Sequence, residues 1–167
     1  VMQQIPGGLC WIGSESADPQ ANENEKPRHQ RDLAPFSIGR YPITNDQYAL
    51  FVRESGHPPP PHWPDGQIPP GKERHPVTLV SHEDALAYCH WLSATTAAHF
   101  RLPTEQEWEK AARGGHPDTR RYPWGEKWID GCCNTSEERR QATTPIDAYQ
   151  DHNCSPFGVI DMAGNVW

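Results

Sequence analysis

Apolar residues in this chain come in short periodic groups separated by long polar or proline-rich stretches. Three groups carry a helical repeat with both ends written in. From Thr44 the pattern places Tyr48, Phe51 and Val52 on one face, and Gly56 stops it. Thr44 and Gln47 stand at capping-box spacing, where each side chain satisfies the other's backbone N–H. A second helix starts at Ser81, with Asp84 at the third position and Ala85, Cys89 and Leu92 on one face. The third follows Thr104, with Glu107 completing the capping box and Trp108, Ala111 and Ala112 forming an apolar stripe. Lys110 and Arg113 suit the negative end of its dipole, and Gly114-Gly115 offers a left-handed cap.

Extended segments are shorter. Ile5 to Gly13 alternates after a Pro-Gly-Gly turn, 33–41 repeats the pattern, and His75 to Val80 reads as a short strand. Ser14 to Gln30 reads as a solvated loop, and 57–71 as an irregular loop with polyproline character. Tyr122-Pro123-Trp124-Gly125 is a turn with two aromatics, and 143–146 is extended.

Composition changes the picture from helical to loop-rich. Hydrophobic residues make up only 35% of the 167, with 18 Pro, 13 Gly and 7 Trp. That mix favours one irregular domain spanning 1–167, held by aromatic anchors, over a regular bundle or doubly wound sheet. The net charge of -7, with no long basic run, gives no footing for nucleic acid. No apolar run reaches membrane-spanning length, and the first residues lack a signal pattern. The five cysteines (Cys10, Cys89, Cys132, Cys133, Cys154) have no paired spacing, so reduced thiols and a cytoplasmic setting are expected. His82 and His90 find no acid in the pattern to complete a zinc set or a triad.

Three stretches carry a resemblance. RLPTEQEWEKAARGG at 101–115, YPWG at 122–125 and GVIDMAGNVW at 158–167 resemble, in order, motifs of the formylglycine-generating enzyme family, the sulfatase-modifying-factor domain. Ile5-Pro6-Gly7-Gly8, the 42–57 helix with His57, and the HPVTLVSHEDALAYCHWL segment at 75–92 are similar to further motifs of that family. The chain stops at Trp167, inside the last motif, so the likeness covers the N-terminal half to two-thirds of such a domain.

The resemblance implies an α+β, C-type-lectin-like fold, irregular and loop-rich, with short helices on small antiparallel sheets. It also implies structural calcium, which takes oxygen donors from side chains and carbonyls around Gly-permitted turns. One ligand set would be Asn134, the Thr135 carbonyl and Glu137; another would be Asp161 with the carbonyls of Gly164 and Val166. Active members bind copper(I) through two cysteines and use O₂ to turn a substrate cysteine into formylglycine; soft thiolates suit that ion. Those cysteines follow the last motif, and none of the five here matches them, so no catalytic residue is carried over.

Several functions remain open on this reading. One is an oxygenase of the formylglycine-generating type or of the related sulfoxide-synthase type. Another is a recognition module for a protein or peptide ligand, similar to diversity-generating-retroelement variable proteins or sensor domains. A third is a subunit of a larger multidomain assembly, with a complementing C-terminal fragment as partner. Family likeness alone does not choose among them.

Overall fold

The computed structural model describes residues 1–135 and 142–166. Its first four strands form one bent antiparallel ribbon. Strand β1 (Met2–Ile5) pairs with β4 (Phe36–Gly39), and β2 (Gly8–Ile12) pairs with β3 (His29–Leu33). The register is unchanged across the break, from Ile5 opposite Phe36 to Gly8 opposite Leu33. What interrupts the ladder is proline on both sides, Pro6 facing Pro35, because neither ring has an N–H to donate. Gly7 fits the bend because a Cβ there would meet Pro35 Cδ at 3.0 Å.

Two strand expectations need correction. The alternation at 33–41 is divided by Ala34-Pro35, and pairing begins earlier, at His29, inside the expected loop. His75 to Val80 forms no strand; only an isolated bridge joins Pro76 to Thr44. Pro76 cannot extend a ladder, and Leu79 turns to φ 55°.

The three helices start where their caps place them. Helix α1 (Asn45–Ser55) is capped by Thr44 and Gln47, α2 (His82–Thr96) by Ser81 and Asp84, and α3 (Glu105–Arg113) by Thr104 and Glu107, each as a full capping box. Gly56 ends α1 at φ 72°, ψ 14°. Gly114 ends α3 at φ 102°, ψ 178°, a positive-φ stop outside the left-handed helical region the pattern suggests.

Two apolar clusters result. Tyr48 and Phe51 of α1, Tyr88 of α2 and Trp63 form an aromatic core, with Ile43, Trp91 and Leu92 against it. Tyr48 stacks on Tyr88 at 5.8 Å, and Phe51 meets Tyr88 edge-on at 5.5 Å, geometries that suit the ring quadrupoles. His57 ties the two helices, its Nε2 lying 2.8 Å from Asp84 Oδ1. The second cluster joins Ile5, Ala111, Ala112, Val159 and Met162.

The expected stripe of α3 is only half right. Ala111 and Ala112 are buried, but Trp108 is 46% exposed and Lys110 is 1% exposed. Alanines let the helix lie close to β2, too close for an indole. The lysine stem threads that gap, and its Nζ donates to the Gly8 carbonyl at 2.9 Å. Glu109 and Arg113 grip the other end of β2, where Glu109 accepts from the Gly13 N–H at 2.9 Å and Arg113 donates to the Gly13 carbonyl at 3.0 Å.

Two outcomes follow. Phe51→Ala empties the centre of the aromatic core and should cost about 3–5 kcal/mol in chemical denaturation. The Arg101 guanidinium pins Glu107 through two hydrogen bonds and pushes its carboxyl down to about 2, from 4.5. A depressed carboxylate stabilises the fold above its unfolded value and loses that contribution as pH falls. Arg101→Ala should therefore be destabilising at pH 7, and its difference from wild type should vanish between about pH 4.5 and 2.

Candidate metal centre

The residues singled out for cation binding lie on two loops that fold against each other. The 161–165 loop is tight: Asp161, Gly164 and Asn165 all have positive φ, at 58°, 95° and 69°. Gly164 is obligatory for the contact, since a Cβ there would sit 2.6 Å from the Asn134 carbonyl oxygen and 3.1 Å from Thr135 Cγ2. The two ligand sets read as separate from sequence are thus neighbours in space.

Asn165, which sequence reasoning passed over, is their junction. Its backbone N–H donates to the Asn134 carbonyl at 2.8 Å. Its Oδ1 accepts from Asn134 Nδ2 at 3.2 Å and from the Thr144 N–H at 2.8 Å. Its Nδ2 donates to Asp161 Oδ2 at 2.8 Å and to the Thr144 carbonyl at 3.1 Å. Asparagine next to glycine reads from sequence as a turn residue, and its signal is identical whether it makes one bond or several. The 142–146 segment is held in turn by His75, whose Nδ1 lies 2.9 Å from Thr143 Oγ1, and by the Ile146 N–H donating to the Arg74 carbonyl. The fully buried Asn153 supports the loop from behind, its Nδ2 donating to the Ala163 carbonyl at 3.0 Å.

The donor set suits a hard cation. Asp161 is 9% exposed, and among the described residues its one hydrogen-bond donor is the neutral amide of Asn165. Burial pushes its carboxyl up to about 6, with the Asn165 amide acting in the opposite direction. A buried carboxylate without a positive partner is costly, and a cation is the partner that offsets the cost. Thr135 Oγ1 is buried without a partner among the described residues, beside the same junction. Glu137, also expected as a ligand, lies outside the described residues.

Cys10 and Cys89 are poor candidates for a copper ligand. Among the described residues no disulfide joins any of the five cysteines, and Cys10, Cys89, Cys132 and Cys133 are buried. Burial raises the Cys10 and Cys89 thiols above their ordinary range, which favours the neutral form over the thiolate copper(I) needs. Cys10 sits on β2 and Cys89 on α2, so neither is offered to a shared ion. Two surface concavities are equally unpromising. A polar cleft of about 430 Å³ holds Arg28, Arg113 and Arg121, but each guanidinium is already paired, with Glu15, Glu109 and Asp18. An apolar groove of about 450 Å³ along α2 includes Cys89, His90 and Phe100.

Comparison with known proteins places the chain in a family. The profile of the sulfatase-modifying factor enzyme 1-like domain matches residues 1–167. The chain belongs to that family. Among its relatives in the sulfatase-modifying factor family is a formylglycine-generating enzyme of Thermomonospora curvata, 32% identical over 99% of this chain and 69% of the relative. Hercynine oxygenase of Mycolicibacterium smegmatis is 30% identical over 98% of this chain and 43% of its own length. An inactive C-alpha-formylglycine-generating enzyme 2 of Bos taurus is 29% identical, over 99% and 68%. Among solved structures, PvdO from Pseudomonas aeruginosa superposes with a TM-score of 0.77 at 26% identity, covering 96% of this chain and 66% of that one. Treponema denticola variable protein 1, at 18% identity, shares the fold with a TM-score of 0.73 over 99% and 70%. The α+β, C-type-lectin-like architecture expected from sequence is the one this sulfatase-modifying factor domain has.

Gly164→Ala tests the loop contact directly. Its Cβ would collide with backbone and occupy a strained φ, so the variant should lose well over 1 kcal/mol in denaturant titration.

Proposed function

We propose that this chain is the calcium-stabilised scaffold of a formylglycine-generating-type domain, and that it contributes no copper ligand of its own. In active members the chemistry is the O₂-dependent oxidation of a substrate cysteine at a copper held by two thiolates. The thiols described here are buried or dispersed, so no step of that reaction is assigned to them. The observation that carries the scaffold reading is the buried, charge-unpaired Asp161 at the junction of two carbonyl-rich loops. On this reading, one calcium is held by the Asp161 carboxylate and the carbonyls of Gly164 and Val166, and a second by Asn134, the Thr135 carbonyl and Glu137.

Calcium here is structural: it pins loops that have no strand ladder of their own. A peptide-recognition role on the same fold is the second reading, favoured by the likeness in fold to the Treponema variable protein. Its ligand would be a protein or peptide segment.

Intact mass spectrometry with metal analysis on the protein purified from its own source separates these. Calcium together with copper, on a polypeptide carrying a cysteine pair beyond Trp167, is the result expected of an oxygenase. Calcium without copper, on a polypeptide lacking such a pair, removes the oxygenase and leaves the recognition module. Removing calcium with a chelator should lower the melting temperature by several degrees, since a ligand bound only to the folded state stabilises it by mass action. An unchanged melting temperature and no bound calcium would end the scaffold reading.

A further inference from the structure

We propose that the polar cleft between the 14–28 loop and the segment following α3 binds a neutral carbohydrate, one or two pyranose rings of a glycan. None of the cleft's residues belongs to the loops of the metal centre, so the inference is independent of the calcium reading.

At about 430 Å³ the cleft is of small-ligand size, and its walls are fixed before any ligand arrives. Arg113 donates to the Gly13 carbonyl at 3.0 Å and to the Arg120 carbonyl at 2.8 Å, so one guanidinium pins both sides. Arg121 reaches across to the loop and donates to Asp18 Oδ2 and Gln20 Oε1. Arg28 donates to Glu15 Oε1 at 2.6 Å and lies 5.2 Å from the centre of the Trp11 ring. Side chains held in this way have little freedom left to lose on binding, which favours affinity.

The charges define the kind of ligand. Three guanidiniums and the carboxylates of Glu15, Asp18 and Glu126 line one space, so a lone anion or cation meets repulsion along with attraction. The pairing that makes the arginines poor partners for an ion still leaves hydrogen-bonding capacity over. Among the described residues, Arg28 Nε and Nη1, Glu15 Oε2 and the Ser14 and Thr119 hydroxyls are without a hydrogen bond, and Glu126 has no ion pair. A sugar hydroxyl donates and accepts at once, so a ring of hydroxyls fits interleaved donors and acceptors without breaking an ion pair.

Apolar surface adjoins this polar one. Arg121 and Glu126 flank a turn closed by reciprocal Tyr122–Gly125 backbone bonds of 2.9 and 3.0 Å, which sets its aromatic rings beside the cleft. Tyr122 stacks on Trp124 at 5.3 Å, and Trp128 meets both edge-on. Trp124 Nε1 donates to the Lys127 carbonyl and Trp128 Nε1 to Asp130. With both indole N–H groups committed, the exposed part of the cluster offers ring carbon, whose negative face attracts the C–H face of a pyranose.

The test is titration calorimetry of the whole chain with maltotriose, cellotriose, chitotriose and mannotriose, with inorganic phosphate and glycine as charged comparisons. At least one trisaccharide should bind with a millimolar or lower dissociation constant and shift the tryptophan emission, while phosphate and glycine give no heat. Glu126→Gln breaks no ion pair, so it should keep the wild-type melting temperature and weaken that sugar about tenfold. Arg121→Ala should weaken it too, at some cost in melting temperature. If the ion pairs serve only to pin the loop, Arg121→Ala lowers the melting temperature and no sugar binds. No uptake of any trisaccharide, tighter binding of phosphate or glycine, or an unaltered sugar affinity in Glu126→Gln would each overturn the proposal and leave the calcium reading untouched.

Discussion

Backbone hydrogen bonding is the constraint on which this fold depends. Two two-stranded sheets and three short helices satisfy the main chain of a minority of residues, and the loops between them must find other partners. Side chains supply those partners at a few junctions. Lys110 takes the carbonyl of Gly8, Glu109 and Arg113 together take both polar groups of Gly13, and Asn165 takes Thr144 on both its N–H and its C=O. Each junction is a polar side chain on one segment completing the backbone of another far away in sequence. An apolar replacement at any of them leaves a buried carbonyl or amide bare, which costs more than the bond itself contributes.

The candidate metal centre is the densest of these junctions. Calcium suits such a place because it accepts carbonyl oxygens from irregular backbone without demanding a regular ladder. Asp161, Gly164 and Asn165 all have positive φ, which makes the loop tight, and the 134–135 segment packs against Gly164. The same junction that holds two loops together is thus also the candidate ion site.

Local signals were legible in sequence, and distant ones were not. All three helix starts could be read from Thr44, Ser81 and Thr104 because a capping box is closed within four residues. Asn134 and Asp161 stood out through the family resemblance, but nothing in their separation along the chain said that their loops touch. Asn165 was missed for the same reason, since its partners lie up to 31 residues away. Trp108 and Lys110 exchanged their expected places because helical periodicity marks a face without saying how close the opposing strand comes. Strand limits shifted where prolines 6 and 35 meet, a pairing that only the register reveals.

The N-terminal strand has a further consequence. Gln3 donates to the Gly158 carbonyl across 155 positions, the Ile160 N–H donates to the Arg40 carbonyl, and Ile5 packs with Val159 and Met162. A chain made from its first residue onward cannot close this cluster until residues near 160 have left the ribosome. The aromatic core of α1 and α2 can assemble much earlier, from residues 43–92. Assembly is thus staged by order of synthesis, since β1 meets its partners at 158–162 only after the aromatic core can form.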